Sequence, residues 1–168
     1  MKSKVKLGGI FTIKCFDKEG RLKWEDTAEN LVPNVGLQHI LDVVLESGSQ
    51  VTTWYVGLTE GSPSPAAGDT MSSHGGWTEE ASYSESVRQT YTSTRSNQTC
   101  SNSASKASFS INADSQTIGG AFICSDDTKS GSTGTLLCCA AFTGGNKSAD
   151  DGDTLEVTYE FSAADDGA

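Results

Sequence analysis

The side chains with the means for chemistry are few, and their spacing works against it. His39 and His74 are the two imidazole bases. His39 has Asp42 nearly one turn on in a helical pattern, but no G-x-S-x-G turn occurs that would deliver a serine to the pair. The periodicity sets His39 on the polar side of that helix, as a solvated residue. His74 lies beside Gly75-Gly76 and reads as a turn or contact residue. Glu79-Glu80 follows Trp77 as in a sugar-cleaving site, yet adjacent acids on a strand point to opposite faces and cannot flank one glycosidic bond. Gly144-Gly145-Asn146-Lys147-Ser148 lacks both the glycine before the lysine and the following helix of a phosphate loop. Asp150-Asp151-Gly152-Asp153 carries oxygen donors for calcium, but neither the twelfth-position glutamate nor flanking helices, and a hairpin turn accounts for it.

Five cysteines, Cys15, Cys100, Cys124, Cys138 and Cys139, show no C-x-x-C spacing. Cys138 and Cys139 are neighbours on a predicted strand and face opposite ways. Their odd number and apolar settings predict reduced, buried thiols in a chain made in a cytoplasm. No catalytic, metal-binding or cofactor-binding residue is predicted. The formal charge of −10 excludes nucleic acid and anionic membranes as partners, since both demand clustered lysine and arginine. Met1–Leu7 is basic but has no apolar run behind it, and no segment approaches a membrane-spanning length.

The elements that would position these side chains are mostly strands. Residues 5–16 alternate, Asp17–Gly20 turns, and Arg21–Asp26 returns, a predicted hairpin. One amphipathic helix is predicted near residues 34–47, with Asn34 as N-cap and Gly48 as the stop. Its stripe of Leu37, Ile40, Leu41, Val44 and Leu45 is expected to be buried on a sheet. A strand follows at Trp54–Leu58, then a Gly/Pro/Ser-rich loop over 60–76 that reads as a surface excursion. Strands are predicted at 77–84, 88–94, 106–112 and 116–125, with Gly119-Gly120 marking a bulge or a close approach. Residues 96–103 and 144–152 read as turns. Leu136–Phe142 is apolar throughout, as in a central strand buried on both faces. Leu155–Phe161 alternates cleanly. The fold class is mainly β: one antiparallel β-sandwich or jelly-roll-like domain over residues 1–168, with a basic N-terminal segment (1–6) and a frayed acidic tail (163–168).

The order of motifs resembles a family of small virion proteins of tailed double-stranded DNA bacteriophages. The resemblance runs through Asn30-Leu31-Val32, Gly36-Leu37-Gln38-His39-Ile40-Leu41-Asp42, Trp54-Tyr55-Val56-Gly57-Leu58 and Ala67-Gly68-Asp69-Thr70-Met71 with His74 and Trp77. It continues through Ile118-Gly119-Gly120-Ala121-Phe122 and Gly152-Asp153-Thr154-Leu155-Glu156-Val157. It implies a non-enzymatic structural protein, most like a capsid decoration (cement) protein on the outer shell, bound to the major capsid protein and assembled as a dimer or trimer. A tail or fibre-associated protein that takes part in host attachment is the alternative. Lys2, Lys4, Lys6, Trp54, His74 and Trp77 are the expected interface residues.

Overall fold

Period-two alternation at the two ends of the chain builds the first of two sheets. The computed structural model describes residues 4–165. In chain order they form β1 (Val5–Phe16), β2 (Leu22–Glu29), α1 (Asn34–Leu45), β3 (Tyr55–Glu60), β4 (Glu79–Glu80) and β5 (Gln89–Thr90). There follow β6 (Thr94–Ser96), β7 (Thr99–Ser101), β8 (Ala107–Ser110), β9 (Gln116–Cys124), β10 (Leu136–Ala141), β11 (Lys147–Ala149) and β12 (Thr154–Asp165). The first sheet has the order β2-β1-β12-β7-β6, with β8 also on β12. β1 and β12 pair antiparallel over their full lengths, so Phe11, Ile13 and Cys15 stand opposite Tyr159, Val157 and Leu155. All six side chains are fully buried on one face, while Thr12, Lys14, Glu156 and Thr158 take the other. At the hairpin turn Asp17 Oδ1 accepts the Arg21 N–H at 2.8 Å, and Gly20 takes the left-handed conformation (φ 79°).

The second sheet has the order β10-β9-β3-β4, with β11 on β9 and β5 on β3. It is buried on both faces, as the apolar runs in β9 and β10 require. Val56, Leu58, Ala121, Ile123, Cys138 and Ala140 face the first sheet and complete the main core. Phe122, Cys124, Leu136 and Cys139 face outward into a second cluster with Met71, Trp77 and Val35. Cys138 and Cys139 thus point to opposite faces, and all five cysteines are free thiols. The antiparallel β-sandwich with one helix is the expected fold class.

Several local expectations are corrected. The N-cap is Pro33, with no side-chain cap, not Asn34. The left-handed residue at the helix end is Ser47 (φ 61°), and Gly48 instead donates its N–H to the Asp42 carbonyl at 2.8 Å. The strands expected at 77–84 and 88–94 shrink to the two-residue β4 and β5, because this stretch spends its backbone on loop contacts. Residues 96–103, expected as a turn, hold the end of β6 and all of β7, joined through Asn97 at φ 52°. β11 forms within the expected turn at 144–152. β10 is buried on both faces but ends its ladder; Leu31 covers its open edge by exchanging two backbone bonds with Cys139. Val5 and Lys6 are strand residues opposite Asp165 and Ala164, so residues 163–165 are paired, not frayed. The remainder of the basic segment, with Lys2, and of the acidic tail lies outside the described residues, apart from Lys4.

Candidate functional site

Two elements cover the second sheet, one at the edge of β10 and one on the outer face, and each does so against its composition. The first is α1. Its backbone approaches β10 so closely that a Cβ at Gly36 would lie 2.6 Å from the Leu137 carbonyl oxygen. Gly36 is the helix's one buried residue, and Val35, His39, Ile40 and Val43 are half-buried. The face turned inward is therefore offset by about one residue from the expected stripe. Leu37, Leu41, Val44 and Leu45 remain 38%, 55%, 71% and 71% exposed. His39, expected to be solvated, lies edge-on to Trp54 at 5.5 Å.

The second element is the 61–77 loop. It is a surface excursion by composition and a folded lid in fact. Ser64 donates its N–H to the Gly76 carbonyl at 2.7 Å, and Asn34 donates to the Ala67 carbonyl at 2.8 Å. Asp69 Oδ2 accepts the Ala66 N–H at 2.9 Å and the Trp77 indole N–H at 3.0 Å. Trp77 is only 6% exposed; it stacks on His74 at 3.8 Å and meets Phe122 at 5.0 Å. His74 Nδ1 donates to the Trp77 carbonyl at 2.9 Å.

The structure thus unites His74 and Trp77 and separates them from Trp54, which packs against the core on the other face of the sheet. Lys4 and Lys6 are exposed at the start of β1, apart from both groups.

Trp54 borders a groove of about 550 Å³. Its walls are the 50–54 segment before β3, the 90–93 segment that begins at the end of β5, and Cys100, Leu137, Tyr159 and Phe161. A second lobe of about 260 Å³ shares Trp54, Leu137 and Phe161 and adds His39, Ile40, Val43 and Val44 of α1. Tyr91 is fixed in the wall: its N–H donates to the Trp54 carbonyl at 2.8 Å, and its hydroxyl donates to the Cys100 carbonyl at 2.9 Å. Burial raises the Tyr91 phenol well above its usual range. Sequence reasoning picked out Trp54 but not this groove, whose residues are scattered from 39 to 161.

The acidic groups first weighed for chemistry are engaged structurally. Glu79 holds the fully buried Arg88 guanidinium through two bonds of 2.9 and 2.6 Å, and Arg88 also donates to the Asp126 and Gly131 carbonyls. Glu80 Oε1 accepts the Ser82 N–H. Asp153 accepts Lys23 Nζ at 2.5 Å and the Asp150 N–H at 2.8 Å. Asp153 is also the acceptor for the Cys15 thiol, whose pKa burial and the Asp153 charge push up to about 12. Among the described residues no cluster of three or more His, Cys, Asp or Glu side chains forms a metal site.

A family model described as podophage GP4 fiber I protein gp80 matches residues 32–161. The match begins just before α1 and ends within β12, so it takes in the helix, the lid loop and the groove. No curated protein and no solved structure matches the chain.

Proposed function

Because the chain belongs to the podophage GP4 fiber I protein gp80 family, and so is a structural protein of a phage virion, we propose that its place is in the fibre apparatus, where it serves host attachment by binding and not by catalysis. The observation that carries this is the family match itself, which spans most of the domain. It favours the fibre over the capsid surface that the motif resemblance first implied.

The exposed face of α1 supports an assembling role. A side chain such as Leu41 or Val44 contributes about 1.5–3 kcal/mol when fully buried, and here four such groups stand in one patch without being used by the fold. The occupant we propose is a second copy of the chain. Each copy carries a formal charge of −10, so copies repel except where an uncharged seam lets them meet. The stripe of Leu37, Leu41, Val44 and Leu45 is such a seam, and a self-complementary contact through it closes symmetrically.

Electron microscopy of intact virions with a gold-labelled antibody against the chain tests the placement. Label at the fibres, with a copy number of a few to some tens per particle, is the expected result. Label over the head, at a copy number near that of the shell protein, would overturn it. That result would restore capsid decoration, with the major capsid protein as partner.

A further inference from the structure

The groove beside α1 has polar and aromatic chemistry that the lid loop does not use and that the exposed helix face shares only at Val44. We propose that it binds a neutral glycan containing an N-acetylated sugar. The sugar face lies on Trp54, its hydroxyls meet the threonine and serine side chains at the rim, and its acetamido methyl enters the lobe against Ile40 and Val43. The proposal deepens the host-attachment reading and rests on it for its biological sense, while the groove chemistry is read from the groove alone.

The lining excludes charged ligands first. Of 168 residues, 12 are Lys or Arg and 22 are Asp or Glu, yet no residue around either lobe belongs to these types. A phosphate, a carboxylate or an ammonium group would give up water there and find no counter-charge. What remains is hydroxyl, amide and aromatic surface in one place. Thr52, Thr53, Thr92, Ser93 and Gln50 supply neutral donors and acceptors beside the rings of Trp54 and Tyr91. A pyranose has the same mixture, with apolar C–H faces and a rim of hydroxyls, and aromatic faces are the surfaces that suit it.

The walls are also set in advance. Tyr91 is tied by its N–H to Trp54 and by its hydroxyl to the carbonyls of Cys100 and Tyr159, and Trp54 is braced by His39. A ligand therefore orders little protein when it binds, and the loss of affinity from that ordering is small. The volume of about 550 Å³ falls within the range of small-ligand sites, roughly 300–1,000 Å³. The second lobe decides the sugar class. It is lined mainly by Ile40, Val43, Val44, Leu137 and Phe161. An acetamido methyl finds apolar contact there that an unsubstituted hexose lacks.

The test is a titration of the purified full chain with tri-N-acetylchitotriose and, separately, cellotriose, each to about 10 mM, read by tryptophan emission and by amide NMR shifts. Saturable binding of the acetylated sugar is expected, with cellotriose about tenfold weaker. Thr52→Arg, at an exposed position that leaves Trp54 and its neighbours in place, should weaken binding by about tenfold or more. Trp54→Ala should abolish it, with far-UV circular dichroism checking the fold. No binding by the unmodified chain, equal binding of the two sugars, or unchanged binding by Thr52→Arg would each overturn the proposal. The titration does not depend on where the chain sits in the particle. Failure here with label at the fibres sinks the glycan alone; success here with label over the head sinks the fibre placement alone.

Discussion

Helix α1 and the 61–77 loop lie over the same sheet, and their sequences misstate their positions in opposite directions. The helix is the most apolar regular element outside the strands, and four of its large side chains stand in solvent. The loop is rich in Gly, Pro and Ser, and its Met71, Asp69 and Trp77 are buried. The difference lies in where each finds its partners. The loop satisfies itself: Asp69 binds its own Ala66 and Trp77, so polar atoms enter the interior already paired. The helix cannot bury a third of its circumference on one strand edge, and it meets β10 through Gly36, which has no side chain to contribute. Composition therefore tells how much apolar surface an element has, while the local hydrogen bonds tell whether that surface is spent inside the chain.

The contrast predicts a large effect in the loop. Trp77→Ala removes the indole from between His74 and Phe122 and deprives Asp69 of one of its two donors. We expect a loss of about 3–5 kcal/mol in urea unfolding. A loss below about 1 kcal/mol would return the loop to the status of surface decoration. Asp69→Ala keeps the ring and removes only the two bonds that close the loop. The expected loss is about 1–3 kcal/mol, and an unchanged midpoint would show that burial of Trp77 alone holds the loop down.

Acid should act on the turns. Arg21 N–H on Asp17, the Thr133 hydroxyl on Asp126 and Ser115 N–H on Asp150 hold these three carboxyls below the usual carboxylate range. A depressed folded pKa gives stability that is fully present above the unfolded value, about 3.9, and lost as pH falls through the folded one. Tm should be level from neutral pH down to about 5 and fall below about 4, less steeply in Asp126→Asn. A Tm that falls between neutral pH and 5 would place the acid-sensitive groups elsewhere.

The same contrast explains what the sequence revealed. The alternation in β1 and β12 was legible because one sheet face is solvated and period two is unambiguous there. Gly119-Gly120 was legible as well: the β3–β9 register shifts opposite it, between Thr59 and Glu60, and Gly120 lies under Ala140. The helix was legible as a helix, but its inward face was not. Val35, Gly36, His39, Ile40 and Val43 form a stripe as regular as the predicted one, and only the approach of Gly36 to β10 chooses between them. β5 to β7 were blurred because short strands containing Ser and Thr share their composition with turns. The groove was illegible for another reason, since α1, the 50–54 and 90–93 segments and β12 meet only through the sandwich topology.

The smallest expected effect on stability is the sharpest test of the helix. Leu41→Glu with Val44→Glu places two charges on a face that the folded chain leaves open, so unfolding stability should change by no more than about 0.5 kcal/mol. Sedimentation should change far more. The unmodified chain is expected to associate, more strongly in salt because salt screens the repulsion between acidic copies, and the double variant should sediment as a monomer at either ionic strength. Two results would break the comparison in different ways. A loss of several kcal/mol would mean that the stripe is buried within the chain after all, and that helix and loop differ less than their exposures indicate. Unchanged stability with unchanged association would leave the stripe exposed but assign the contact between copies to another face, separating the exposure of α1 from any role in assembly.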